Sequence, residues 1–176
     1  MKKICVFLLV IGLHFNCFGQ IDTTALKSIE GITNKMIELI SGDIGEERNW
    51  NEYRNLFTPR AQKMSLRKLK DGSSKMTVMN IEEFVRNVGP YYSRDGFEEY
   101  AIGLTINEFN GIAIVFQSFY CKNLTGTYEK RGINTYQLVY MDDRWWIAST
   151  LYTNETDDSP IPDKHLFKKY QSNGKN

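Results

Sequence analysis

Apolar residues return every three or four positions at Leu26, Ile29, Ile32, Met36, Ile37 and Ile40. That spacing puts them on one face of a helix. Asp22 is its candidate N-cap, and Ser41-Gly42 its stop. A shorter helix is predicted around Trp50, Tyr53, Leu56 and Phe57, ended by Thr58-Pro59. The stretch 60–78 is basic and mixed, with Lys63, Arg67, Lys68, Lys70 and Lys75 around a turn-like Asp71-Gly72-Ser73-Ser74. It reads as a short strand and an exposed, solvated loop. Asn80 and Glu83 have capping-box spacing. They open a third helix through Ile81, Phe84, Val85 and Val88, which Gly89-Pro90 closes.

After residue 97 the period changes from helical to two. Over 98–109, Tyr100, Ile102, Leu104 and Ile106 share one face of a strand. Asn110-Gly111 is a strong hairpin signal. The next strand, 112–121, is apolar on both parities, as expected of a strand covered on both sides. A loop with Gly126 leads to strands over 131–141 and 144–153, joined at Asp142-Asp143. That pair lacks the glycine favoured in a type I′ turn, so the turn is expected to be slightly strained or longer than two residues. Tyr136, Leu138 and Tyr140 fall on one face, and Ile133, Val139 and Met141 on the other. Trp145 and Trp146 must point to opposite faces of their strand. The pattern predicts an α+β fold, about three N-terminal helices covering one face of a curved antiparallel sheet. A second copy of the chain is the simplest cover for the other face, so a homodimer is expected.

The N-terminus changes the picture of compartment. Lys2 and Lys3 precede an apolar run over Ile4–Leu13, and Cys17 and Gly19 are small residues two apart. This is the layout of a secretory signal peptide over 1–19, with cleavage before Gln20. The apolar run is too short for a stable membrane span. The protein is therefore expected to be secreted or periplasmic, with a domain over 20–154 and a C-terminal tail over 155–176. Acylation at Cys17 is the alternative, and His14, Phe15 and Asn16 before it fit that poorly. Cleavage leaves Cys121 as the sole cysteine and His165 as the sole histidine. No intramolecular disulfide can then form, and Cys121 reads as a small core residue. Multi-histidine metal sites and histidine-based triads drop out on inventory, and neither a metal nor a cofactor is expected. The formal net charge of +1 falls below zero once Lys2 and Lys3 are removed, so no field draws the chain to nucleic acid.

Four segments, "ERNWNEYRNLFTPRA", "FNGIAIVFQSFY", "RGINTYQLVYMDDRWWIAS" and "SPIPDKHL", resemble the nuclear transport factor 2-like superfamily, and more closely its SnoaL-like branch in secreted bacterial proteins. The similarity spans roughly residues 24 to 168. It implies a cone-shaped sheet with a pocket between helices and concave face, and homodimers through the outer face. That fold hosts isomerases, dehydratases, cyclases and binding modules, so it does not by itself give function. Enzymatic members place an aspartate, or a His–Asp pair, in the cone. Here the strands hold no aspartate outside the turn. Their carboxylates are Glu98, Glu99 and Glu108 near strand ends, and the helical part offers Glu38, Asp43 and Glu52.

Polar residues inside apolar segments are the candidate ligand-binding set: Tyr53, Tyr92, Gln117, Asn134, Gln137 and Ser149. Buried, each needs a partner, which a neighbouring strand or water supplies as readily as a ligand. Asn134 and Gln137 have opposite parity, so at most one faces the interior. Tyr91 and Tyr92 are placed to rim a pocket mouth. Three functions are compatible with the chain. The first is binding of a small apolar molecule. The second is acid–base chemistry on a carbonyl compound, with Glu52 beside Tyr53 as the first pair to inspect. The third is protein binding through the sheet or the tail, where Ile161, Leu166 and Phe167 are apolar among charges.

Overall fold

The computed structural model describes residues 23–69 and 71–171, so the segment expected to be a signal peptide, the expected cap Asp22, Lys70 and residues 172–176 lie outside it. Helix α1 spans Ile29–Ile40. Its cap is Ser28, whose hydroxyl accepts from the Gly31 N–H at 3.0 Å, and a single 3-10 turn over Ala25–Lys27 precedes it. Helix α2, Trp50–Arg54, is capped by Asn49. It ends before Thr58-Pro59, because Phe57 already starts strand β1, Phe57–Lys68. Pro59 falls where the register of β1 shifts, between Phe57 and Gln62, a place where a missing N–H is tolerated.

The short strand and exposed loop expected over 60–78 are instead two paired strands, a hairpin. β1 pairs antiparallel with β2, Ser74–Asn80, in register from Gln62↔Asn80 to Lys68↔Ser74. Its charges are compatible with pairing because Arg67 and Lys68 of β1 and Lys75 of β2 are exposed to water, and β2 forms the edge of the sheet. Helix α3, Ile81–Asp95, has the predicted capping box but runs through Pro90. Gly89 lacks the Cβ that would clash with the proline ring, so the α conformation survives there. The helix stops at Gly96, whose φ is 62°.

β3 (Glu98–Phe109), β4 (Ile112–Lys122), β5 (Glu129–Met141) and β6 (Arg144–Asn154) complete a six-stranded sheet of order β2-β1-β6-β5-β4-β3. The sheet is mixed, since β1 lies parallel to β6. It curves without closing, and α1 and α3 pack on its concave face to give the predicted α+β architecture. Asp142 and Asp143 form a two-residue turn, both with positive φ (53° and 60°), which aspartate tolerates. Trp145 is buried in the core. Trp146 faces outward, donating to the Met141 carbonyl at 3.1 Å beneath the Arg144 guanidinium.

A bulge in β3 overturns one face assignment. Register shifts between Ala101 and Gly103, so Leu104 and Ile106 join the concave core while Tyr100 and Ile102 turn to the outer face. There the tail covers Ile102. Ile161 and Leu166 bury against Ile102, and the Phe167 N–H donates to the Ile102 carbonyl at 2.8 Å. Ser118 Oγ donates to the His165 carbonyl at 2.8 Å. Gly103 allows this approach, because a Cβ there would stand 1.7 Å from the His165 oxygen. The tail thus supplies part of the cover expected from a second copy. Phe109, Ile112 and Ile114 stay exposed on the outer sheet, Phe109 at 77%.

Candidate functional site

Between the helices and the concave sheet lies a cavity of about 410 Å³. Its walls are mostly apolar: Met36 and Ile40 from α1, Phe84 and Val88 from α3, and Phe97 and Phe119 from the sheet side. Four of the polar groups among them, Lys63, Glu99, Asn134 and Asn154, come from four different strands.

Glu99 enters from β3. Its backbone N–H donates to Ser41 Oγ, the cap at the end of α1, at 3.1 Å. The adjacent Gly42 and Phe97 exchange both backbone hydrogen bonds, at 2.8 and 3.0 Å, so the strand start is pinned to the helix end. Arg48 fixes the same corner. Buried, it donates to the carbonyls of Ile40, Gly42, Glu46 and Tyr92. Asn134 reaches across from β5 and donates from Nδ2 to Glu99 Oε1 at 2.9 Å. Glu99 keeps some accessible surface because it faces the cavity, but the surrounding protein keeps it from bulk water. That burial raises its carboxyl to about 7, against the opposing pull of Lys63 and the Asn134 hydrogen bond.

Lys63 enters from β1 and is only 7% exposed. Its Nζ meets Met36 Sδ at 3.9 Å and lies 4.3 Å from the Phe84 ring centroid, with the rings of Tyr53 and Phe57 at 5.6 and 5.7 Å. Burial lowers its ammonium to about 8, and Glu99 opposes that change through space. The aromatic faces offset part of the desolvation. The cavity therefore holds a cation and a carboxyl that both change charge near neutral pH. Asn154 adds a buried Oδ1 on the cavity wall with no hydrogen-bond partner.

Of the six candidate residues, Tyr92 and Asn134 line this cavity, and Tyr91 stands with Tyr92. The other four are elsewhere. Tyr53 is wholly buried in an aromatic cluster, 5.6 Å from Phe84, with its hydroxyl unpartnered. Gln117 is satisfied internally, accepting from the Tyr136 hydroxyl at 2.8 Å and donating to Asn34 at 3.4 Å. Gln137 and Ser149 bond each other at 2.9 Å, with Gln137 exposed on the outer face. Glu52 is away from the cavity, in an ion pair with Lys35 at 3.1 Å. Lys63 and Glu99 are the site residues that sequence reasoning misses. In sequence Lys63 is one charge in a basic stretch that reads as solvated, although its parity matches buried Ala61. The β3 bulge reverses the face expected for Glu99.

Among the described residues, no group of three or more His, Cys, Asp or Glu is placed to hold a metal ion. None of the described helices is long and apolar enough to cross a membrane.

No protein-family model matches the chain, and no curated protein matches it. Solved structures do. A nuclear transport factor 2-like superfamily protein from Salmonella enterica serovar Typhimurium superposes with a TM-score of 0.55 at 11% identity, covering 80% of this chain and 94% of that one. A protein of unknown function with a cystatin-like fold from Nostoc punctiforme gives 0.53 at 8% identity, covering 72% and 87%. A protein from Streptomyces avermitilis, described as a candidate dehydratase of the nuclear transport factor 2-like family, gives 0.52 at 11% identity, covering 76% and 97%. At these identities the likeness shows the fold: this chain has the nuclear transport factor 2-like α+β architecture.

Proposed function

We propose that the protein is a small-molecule-binding module that takes a compact, largely apolar ligand in its cone. The observation that carries this reading is the apolar cavity of about 410 Å³ with Glu99 and Asn134 bonded together on its wall. Volume and lining both match ordinary ligand sites. A panel of apolar amphiphiles, read by thermal shift, tests it. Ligands should raise the melting temperature of the wild type and not of Cys121→Trp, which fills the cavity from β4. Equal shifts in both would refute the reading. The resemblance to secreted SnoaL-like proteins, together with residues 1–19, supports work outside the cytoplasm. N-terminal sequencing of exported protein should begin at Gln20.

A second reading is acid–base catalysis on a carbonyl compound. Glu99 supports it, because a carboxyl near 7 in an apolar pocket can give and take a proton at neutral pH. A solved structure of the same fold is described as a candidate dehydratase. Glu99→Gln separates the readings: an enzyme loses turnover while a binder retains its ligand.

A further inference from the structure

We propose that the ligand is a carboxylic acid with an apolar body, its carboxylate seated between the Lys63 ammonium and the Glu99 carboxyl. The inference rests on the small-molecule-binding reading and names the chemistry of the same cavity.

Lys63 carries the argument. A buried ammonium is normally paired, because isolated charge in a low-dielectric site is costly. The groups around this one are a thioether and three aromatic rings, none of which carries opposite charge. The ammonium borders the cavity, so an anion entering there would gain a desolvated, charge-assisted contact. Glu99 then decides which anions are accepted. Asn134 occupies its Oε1, which leaves Oε2 to hold a proton. Protonated, Glu99 donates to the incoming carboxylate. Ionised, it repels that carboxylate and already neutralises Lys63 at a distance. Binding is therefore coupled to uptake of one proton. The rest of the wall is apolar, and the cavity equals roughly fourteen water volumes of about 30 Å³. An acid of about ten heavy atoms fits that space.

Of the other groups facing Glu99, Lys63 titrates nearest to it. Lys63 on β1 changes charge about one pH unit higher. Burial pushes Tyr53 on α2, Tyr92 on α3 and Tyr136 on β5 well above 10. Cys121 on β4 is raised to about 12, and Tyr128 and Tyr152 are raised as well, all chiefly by burial. Asp95 at the end of α3 is held low by its Arg94 hydrogen bond and stays ionised. Helix α1 presents Met36 and Ile40, which do not titrate. Between about pH 6 and 7, Glu99 is the group among these that changes charge most, and Lys63 follows above it.

Isothermal titration of the mature chain with octanoate and octan-1-ol, from pH 6 to 9, tests this. Octanoate affinity should be highest near pH 6, fall about tenfold per pH unit between about 7 and 8 as one-proton linkage requires, and fall more steeply above about 8, where Lys63 also loses its proton. Octanol should bind more weakly at pH 6 and show no pH dependence. Lys63→Met should weaken octanoate at least tenfold and leave octanol unchanged. Glu99→Gln should retain octanoate binding and move its decline up to the Lys63 transition. If octanol binds as well as octanoate at pH 6, or octanoate ignores pH, the carboxylate is refuted while the cavity reading stands. If neither binds, both fall. The wild-type pH series needs no variant, so it decides even if Lys63→Met fails to fold.

Discussion

Glu99→Gln should stabilise the protein at pH 8 and leave it almost unchanged at pH 5. The folded state raises the Glu99 carboxyl from 4.5 to about 7. A folded-state value above the unfolded one means the folded protein binds more protons between the two. Stability from Glu99 is therefore full below about 4.5 and lost as pH rises through 7. Each tenfold change in proton affinity corresponds to about 1.4 kcal/mol, so the full loss is about 3 kcal/mol. Some of Glu99 stays accessible through the cavity. Removing its charge also deprives Lys63 of a distant partner at pH 8. Both trim the expected difference to about 2 kcal/mol. The glutamine side chain keeps the shape and an oxygen for Asn134. The assay is urea unfolding of both proteins at pH 5 and 8. Taking wild type minus variant cancels exposed carboxylates such as Asp71 and Asp143, whose lowered values act in the opposite direction. A difference that stays constant within about 0.5 kcal/mol between the two pH values, well under the effect of a typical mutation, would refute a buried, neutral-leaning Glu99.

Gly103→Ala should expel the tail, since the new Cβ would meet the His165 carbonyl at 1.7 Å. Losing the burial of Ile161 and Leu166, about 1.5–3 kcal/mol each before the regained chain entropy, should lower the melting temperature by several degrees and expose 155–171 to limited proteolysis; an equally protected tail would contradict this. Trp145→Ala should cost about 3–5 kcal/mol by emptying core space. Trp146→Ala, on the outer face, should cost under about 1 kcal/mol in the monomer and mainly weaken self-association, read by paired melting and sedimentation. Light scattering on the eluted wild type should give twice the mature mass. A clean monomer at micromolar concentration would remove the homodimer proposal.

Where local chemistry decides conformation, the sequence is readable. The Asn80–Glu83 capping box and the Asn110-Gly111 hairpin act within a few residues, and both are present. Residues 60–78 mislead because a basic strand with exposed side chains and a solvated loop have the same composition. What makes this stretch a strand is the parallel partner β6, more than eighty residues later in the chain. Pro90 misleads as a stop because the rule assumes a preceding Cβ, which Gly89 lacks. The Asp142-Asp143 turn shows that aspartate, not glycine alone, supports the left-handed conformation of a tight hairpin.

The site is harder to read for a physical reason. Glu99 and Lys63 occupy positions where the chain departs from the local rules used to read it. Strict alternation through Tyr100, Ile102, Leu104 and Ile106 assigns Glu99 to the wrong face, and one bulged residue reverses it. Lysine in a basic segment reads as solvated, and only the folded helices bring the Phe84 and Tyr53 rings over its ammonium. Gln137 and Ser149 fit the polar-in-apolar rule and satisfy each other on the outer face, as structural residues do. Lys63 is the opposite case. Methionine would fill its place without desolvating a charge, and the thioether and rings around it do not offset that cost in full. Glu99 sits across the same cavity, and its hydrogen-bond partner there, Asn134, is neutral. Departures of this kind are expected at functional or strained sites.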